Sequence, residues 1–307
     1  MDLRSILDLR AEDVDAFVGV GPRYPWGGLY GGQIVAQALR AAALTVDSEL
    51  YVHSLRAYFI RRGDHDEPVR YEVDRIRDGR SFCTRRVVAL QEVGAILNLE
   101  ASFQRPEESE DVRPIAPPAD LPDPEELVSD SWSPVFQRAF IPPEYTPASG
   151  REGTGRAVAW MRVSQDLTDD AIEHAGGLAY LSDDLPTDAV VRAHPVRSES
   201  TEVLHKVLFT ASLDHTIWFH RPFRADEWQL HDFSCHTFVG GRGLSLGHVF
   251  GRDGTHLATI AQDLAYRGHE VRVLTGLPEG SGAQMRHRFE RHGDGDDPER
   301  ERKTGSR

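Results

Sequence analysis

Several separate positions carry residue types that can do chemistry. Asp214 and His215 stand next to each other, with His220 five positions on, which raises a metal site or a catalytic dyad. An odd step along a strand sends His215 and His220 to opposite faces, so a shared metal is rejected. Cys83 and Cys235 have neither metal spacing nor a neighbouring group that would generate a thiolate, and no Gly-x-Ser-x-Gly elbow occurs. A protein nucleophile is therefore not indicated. Asp183, beside Asp184 and ahead of Leu185-Pro186, reads on its own as an aspartate that caps a helix end or faces solvent. Ser212 and Gln262 read on their own as polar strand residues.

The elements that must position these residues occur twice. His53-Ser54-Leu55-Arg56-Ala57-Tyr58-Phe59, then Asp78-Gly79-Arg80, then a strand ending at Gln104 is answered by Ser212-Leu213-Asp214-His215-Thr216-Ile217-Trp218-Phe219, then Gly240-Gly241-Arg242, then a strand ending at Gln262. The repeat predicts a duplicated fold in which one copy alone need carry the chemistry. Gly31-Gly32-Gln33 opens a run whose Ile34, Val35, Ala38, Leu39, Ala42 and Ala43 share a helix face. Alternating strands follow over 51–60, 69–77, 81–93 and 95–103, separated by Gly-containing turns. A single long Ala-rich helix followed by antiparallel strands is an α+β pattern, explained by a sheet wrapped round that helix.

The second half repeats this order, with a strand over 156–163, a helix over 169–182, and strands over 209–219, 228–239, 243–250 and 257–265. The expected division is a first unit over 1–105, a linker rich in Asp, Glu and Pro over 106–149, a second unit over 150–272 and a disordered tail over 273–307. At 307 residues the chain has room for two such units.

A net charge of −14 argues against bulk nucleic-acid binding. Local clusters at Arg56, Arg61 and Arg62, and at Arg75, Arg77, Arg80, Arg85 and Arg86, either hold a few phosphates of a small ligand or are solvated strand faces. Two unframed cysteines suit a reducing compartment. With no apolar leader, no run of membrane-spanning length and no peroxisomal signal at Thr304-Gly305-Ser306-Arg307, a soluble cytoplasmic protein is expected.

Several strings together resemble the type II acyl-CoA thioesterases: Gly31-Gly32-Gln33-Ile34-Val35-Ala36-Gln37-Ala38-Leu39, Val52-His53-Ser54 with Tyr58-Phe59, Arg77-Asp78-Gly79-Arg80-Ser81-Phe82, and Leu213-Asp214-His215 with Trp218-Phe219-His220-Arg221-Pro222-Phe223. The resemblance spans about 27–267. It implies a double hotdog, two helix-on-antiparallel-sheet repeats fused in one chain, and hydrolysis of medium- or long-chain fatty acyl-CoA. Carried over by position, the family's catalytic aspartate falls on Asp183, its hydroxyl on Ser212, where the aligned pattern has Thr, and its glutamine on Gln262.

Such hydrolysis needs a positioned water, a base and oxyanion donors, and no cofactor or metal. Asp183 would be the base, Ser212 and Gln262 would hold the water, and N–H groups at a helix start would stabilise the oxyanion. Gly32, His53 and Arg80 are the candidate substrate-binding residues, His53 having a buried, hydrogen-bonded histidine as its other reading. Homo-oligomeric assembly is expected by analogy. An enoyl-CoA hydratase on the same fold would carry His five residues after its Asp, where this chain has Asp188 after Asp183. A silent acyl-CoA binding protein is the non-enzymatic alternative.

Overall fold

A computed structural model describes residues 1–146, 155–193 and 208–268. The expected tail over 273–307 lies outside the described residues. The chain starts with a short helix, α1 (Leu3–Leu7), capped by the Asp2 carboxylate, and a hairpin of β1 (Arg10–Asp13) and β2 (Ala16–Gly19). The Ala-rich run forms α2 (Gly31–Ala43), in which every residue from Gly32 to Ala42 except Arg40 is buried. A helix buried all round must be enclosed, and the small side chains let its neighbours approach closely.

The enclosure is β3 (Tyr51–Phe59), β4 (Val69–Asp78), β5 (Phe82–Gln91) and β6 (Gly94–Gln104). β7 (Phe136–Phe140) and β8 (Arg156–Val163) lead to α3 (Ala171–Leu181) and α4 (Leu185–Ala193). β9 (Leu208–Ser212), β10 (Asp214–Phe219), β11 (Gln229–Val239), β12 (Arg242–Gly251) and β13 (His256–Gly268) complete the order.

Among the described residues all strands join one 13-stranded sheet in the order β1-β2-β4-β5-β6-β3-β10-β13-β12-β11-β8-β7, with β9 also paired to β13. Each half has the same internal order: β3-β6-β5-β4-β2-β1 is answered by β10-β13-β12-β11-β8-β7. The halves meet at β3 and β10, antiparallel from Ser54 opposite Trp218 to Tyr58 opposite Asp214. The fold is the expected double hotdog, with α2 and α3 in contact inside the sheet.

Three expectations are corrected. The stretch read as linker contains β7, whose Phe136, Arg138 and Ala139 are buried against β8. The strand expected over 209–219 breaks at Leu213 into β9 and β10. The second unit carries α4 in addition to its long helix. Among the described residues no helix is long and apolar enough to cross a membrane.

Candidate active site

Asp183 and Asp184 form the joint between α3 and α4. α3 ends on Ser182, whose N–H donates to the Leu178 carbonyl. Leu185 and Pro186 then open α4; proline fits early in a helix, where its missing N–H costs nothing. Asp183 does not face solvent. It is 6% exposed and points at the start of α2, where its Oδ2 accepts from the Gly32 N–H at 2.9 Å. The two glycines are required by this approach. A Cβ at Gly31 would stand 2.5 Å from Asp183 Oδ2, and one at Gly32 would stand 2.4 Å from the Tyr180 carbonyl oxygen.

The other carboxylate oxygen meets the second half's sheet. Asp183 Oδ1 accepts from Ser212 Oγ at 3.0 Å and from Gln262 Nε2 at 2.7 Å, and Gln262 Nε2 also donates to Ser212 Oγ at 2.7 Å. Ser212 closes β9 and is half-buried, whereas Gln262 on β13 is fully buried. The break at Leu213 brings them together: its carbonyl accepts from the Phe59 N–H and its N–H donates to the Asp263 carbonyl. Strict alternation would put Ser212 and His215 on opposite faces; the break resets the alternation, and both reach Gln262.

His215 Nδ1 lies 2.6 Å from Gln262 Oε1, and its Nε2 lies 2.8 Å from Ser182 Oγ. This contact was hidden from the sequence, because the parity reading that separated His215 from His220 also separated it from Ser212. His220 is exposed, with Nε2 at 2.9 Å from Thr259 Oγ1.

Burial raises the Asp183 carboxyl to about 6, overcoming the lowering effect of its hydrogen bonds from Gln262, Ser212 and Gly32. Burial also lowers the His215 imidazole to about 4. Asp184 is held differently, by an ion pair with Arg138 at 2.6 Å and the Trp132 indole N–H at 2.7 Å.

The remaining candidates are placed as follows. Gly32 is at the site. His53 bonds Ser102 Oγ at 2.7 Å and sets its ring edge against Phe82. It sits six residues back along β3 from Phe59, whose ring adjoins Gly31, roughly 20 Å at the rise of a strand. Arg80 is exposed in the turn between β4 and β5, at the same distant end. Both cysteines are free, and burial pushes their thiols up. Among the described residues, Asp64, His65 and Asp66 have ligand atoms that converge. They form a surface loop in which His65 Nδ1 accepts from the Tyr24 N–H and Asp66 pairs with Arg23.

Comparison with known proteins agrees with this architecture. Residues 21–104 match the acyl-CoA thioesterase N-terminal domain family and residues 109–266 the acyl-CoA thioesterase C-terminal domain family. Acyl-coenzyme A thioesterase 8 of Mus musculus is 35% identical over 289 residues, covering 84% of this chain and 87% of the relative. Acyl-CoA thioesterase 2 of Haemophilus influenzae is 32% identical, over 83% of this chain and 94% of the relative. The crystal structure of an acyl-CoA thioesterase II, TesB2, from Mycobacterium marinum superposes with a TM-score of 0.75 at 34% identity, covering 87% of this chain and 99% of that one.

Proposed function

The chain belongs to the type II acyl-CoA thioesterase family and is a thioester hydrolase acting on acyl-CoA; from that premise we propose that hydrolysis runs at Asp183, Ser212 and Gln262, on medium- or long-chain fatty acyl groups. Asp183 takes a proton from water as the water oxygen attacks the thioester carbonyl. The tetrahedral intermediate then collapses, the C–S bond breaks, and the proton passes to the departing CoA sulfur. Ser212 and Gln262 orient the water and carboxylate, and no cofactor takes part. A carboxyl raised to about 6 is a stronger base than an exposed aspartate and is still ionised at neutral pH. The observation that carries this reading is a single buried carboxylate accepting hydrogen bonds from three separate elements. Ser212, half-buried, is the least buried of the three. His53 and Arg80 take no part at the reacting atoms.

A second reading is favoured by one contact. Ser212 Oγ donates directly to Asp183 at 3.0 Å, so the same base could activate the serine, giving an acyl-serine that water then cleaves. Free Cys83 and Cys235 support the cytoplasmic location. For homo-oligomeric assembly, Tyr58, 63% exposed beside the seam of β3 and β10, offers an outer surface.

Thiol release across acyl-CoA chain lengths, beside a hydration assay on enoyl-CoA, tests the activity. Asp183→Asn is expected to lose at least ~10³-fold in turnover, since both base and positioning act through this group. Retention of most activity rejects the assignment, and an acyl adduct on Ser212 by mass spectrometry selects the second reading.

A further inference from the structure

Gln262 serves the proposed chemistry only one way round. Its Nε2 lies 2.7 Å from both Asp183 Oδ1 and Ser212 Oγ, while Oε1 lies 2.6 Å from His215 Nδ1. Turned over, the amide would aim its carbonyl oxygen at the ionised carboxylate, acceptor against acceptor. The ionised carboxylate disfavours that turned form, and the group at the other end of the amide, the fully buried His215, either supports or opposes the working orientation.

Burial leaves this imidazole neutral, with one proton to place. With the proton on Nδ1, the ring donates to Gln262 Oε1 and Nε2 accepts from the Ser182 hydroxyl. With the proton on Nε2, a bare Nδ1 would face the amide and favour the turned form. The Ser182 hydroxyl has a single proton and two acceptors in reach, His215 Nε2 at 2.8 Å and the Ala179 carbonyl at 3.1 Å. With Gln262 Oε1, an acceptor, facing Nδ1, the imidazole proton belongs on Nδ1, and the Ser182 hydroxyl then holds that tautomer by donating to Nε2. The residue that holds it is the immediate chain neighbour of Asp183.

We propose that His215 is a positioning residue for the reaction: kept in its Nδ1–H tautomer by Ser182, it locks the Gln262 amide with its NH₂ toward Asp183 and Ser212. This deepens the reading of Asp183, Ser212 and Gln262 as the reacting site and rests on it.

The test compares His215→Leu, which removes the donor, with His215→Asn, whose amide places a donor near the Nδ1 position, and with Ser182→Ala. His215→Leu is expected to lower kcat roughly 10- to 100-fold, the size of one lost hydrogen bond serving a charged group, with KM within about twofold. His215→Asn should recover most of that loss, and Ser182→Ala should cost roughly 3- to 10-fold.

A role in mere packing would leave the pH profile alone. Loss of the oriented amide should instead move the acid limb upward, because the amide donor is one of the groups lowering the Asp183 pKa. The other titratable groups facing Asp183 are Asp184 on its own joint, paired with Arg138, and Tyr30 ahead of α2, and the substitution touches neither.

Wild-type kcat and an unmoved acid limb in His215→Leu overturn the proposal, as does an Asn variant no better than Leu at equal thermal stability. Should His215→Leu not fold, wild-type kcat and acid limb in Ser182→Ala overturn it. Asp183→Asn, run alongside, separates the two levels. If it keeps its turnover, the underlying site reading fails; if it is dead while His215→Leu works normally, only the present inference falls.

Discussion

Each half ends its central helix near a hydroxyl that folds back on the helix, and there the halves part. Thr45 Oγ1 donates to the Ala42 carbonyl at 2.8 Å, as Ser182 Oγ lies 3.1 Å from the Ala179 carbonyl. The next residue is Val46 in the first half and Asp183 in the second. The group that meets the hydroxyl differs as well. Thr45 receives the Arg85 guanidinium, 1% exposed, which donates to Thr45 Oγ1 and to the carbonyls of Thr45, Thr84 and Arg77, and pairs with Asp78. Ser182 receives a neutral imidazole. A buried cation with five acceptors is satisfied and inert; a buried carboxylate whose donors are a backbone N–H, a hydroxyl and an amide, all neutral, is left with a raised pKa. One capping geometry thus serves as a structural lock in one half and, in the function proposed above, as the reactive centre in the other.

The strongest attack on that comparison is to make the same change twice. In the first half the matching string ends on Gln104, which closes β6 opposite Tyr51, and begins at His53, which falls at or next to the place of Ser212 in the repeat and bonds Ser102. Gln262→Leu is expected to cost roughly 10²-fold in kcat, the scale of a lost positioning group. Gln104→Leu should stay within about twofold. Equal losses in the thiol-release assay would mean that both halves work.

The pH dependence sharpens the same contrast. With Asp183 raised to about 6, kcat/KM should rise with pH through about 6, fall about tenfold per unit below it and be flat above. The stability effect runs the other way. A carboxyl whose folded-state pKa is raised contributes stability that is fully present below the ordinary aspartate range and lost as pH rises through about 6. Asp183→Asn, which carries no charge, should therefore unfold at no lower denaturant concentration than the parent at pH 8. A markedly lower midpoint would show that the carboxylate stabilises the fold.

Much of the fold was legible because local rules and tertiary demand agree. The alternation in Tyr51–Phe59 and Val69–Asp78, the Asp78-Gly79 turn and the apolar spacing of α2 each name an element the structure contains. β7 was missed because an edge strand packed against one neighbour needs few apolar positions and sits among Pro and acidic residues. α4 was missed because Asp183-Asp184 and Pro186 read as a stop, although proline in a first turn is a start. The site was less legible. Asp183, Ser212 and Gln262 are 29 and 50 residues apart, and no spacing rule joins them; they came from resemblance. The contact of His215 with Gln262 was not legible, because the break at Leu213 overrides the period of two. His53 and Arg80 stand at the opposite end of the first half's strands from Asp183.

The smallest effect on turnover should come from the lock itself. Arg85→Met keeps the stem's volume and removes the guanidinium, leaving the Thr45, Thr84 and Arg77 carbonyls without that donor. Asp78, with its side chain 62% exposed, can turn to water. Removing the buried partner therefore leaves no buried charge behind, and the loss should be about 1–3 kcal/mol, from unsatisfied carbonyls alone. Arg85→Lys should recover little, because an ammonium cannot reach acceptors spread across a planar fork. Denaturant midpoints measure that loss, and kcat at a temperature where both variants are folded should stay within about twofold of the parent. A tenfold fall in kcat with the fold intact would place the first half's helix end inside the reaction, and the division between lock and reactive centre would have to be withdrawn.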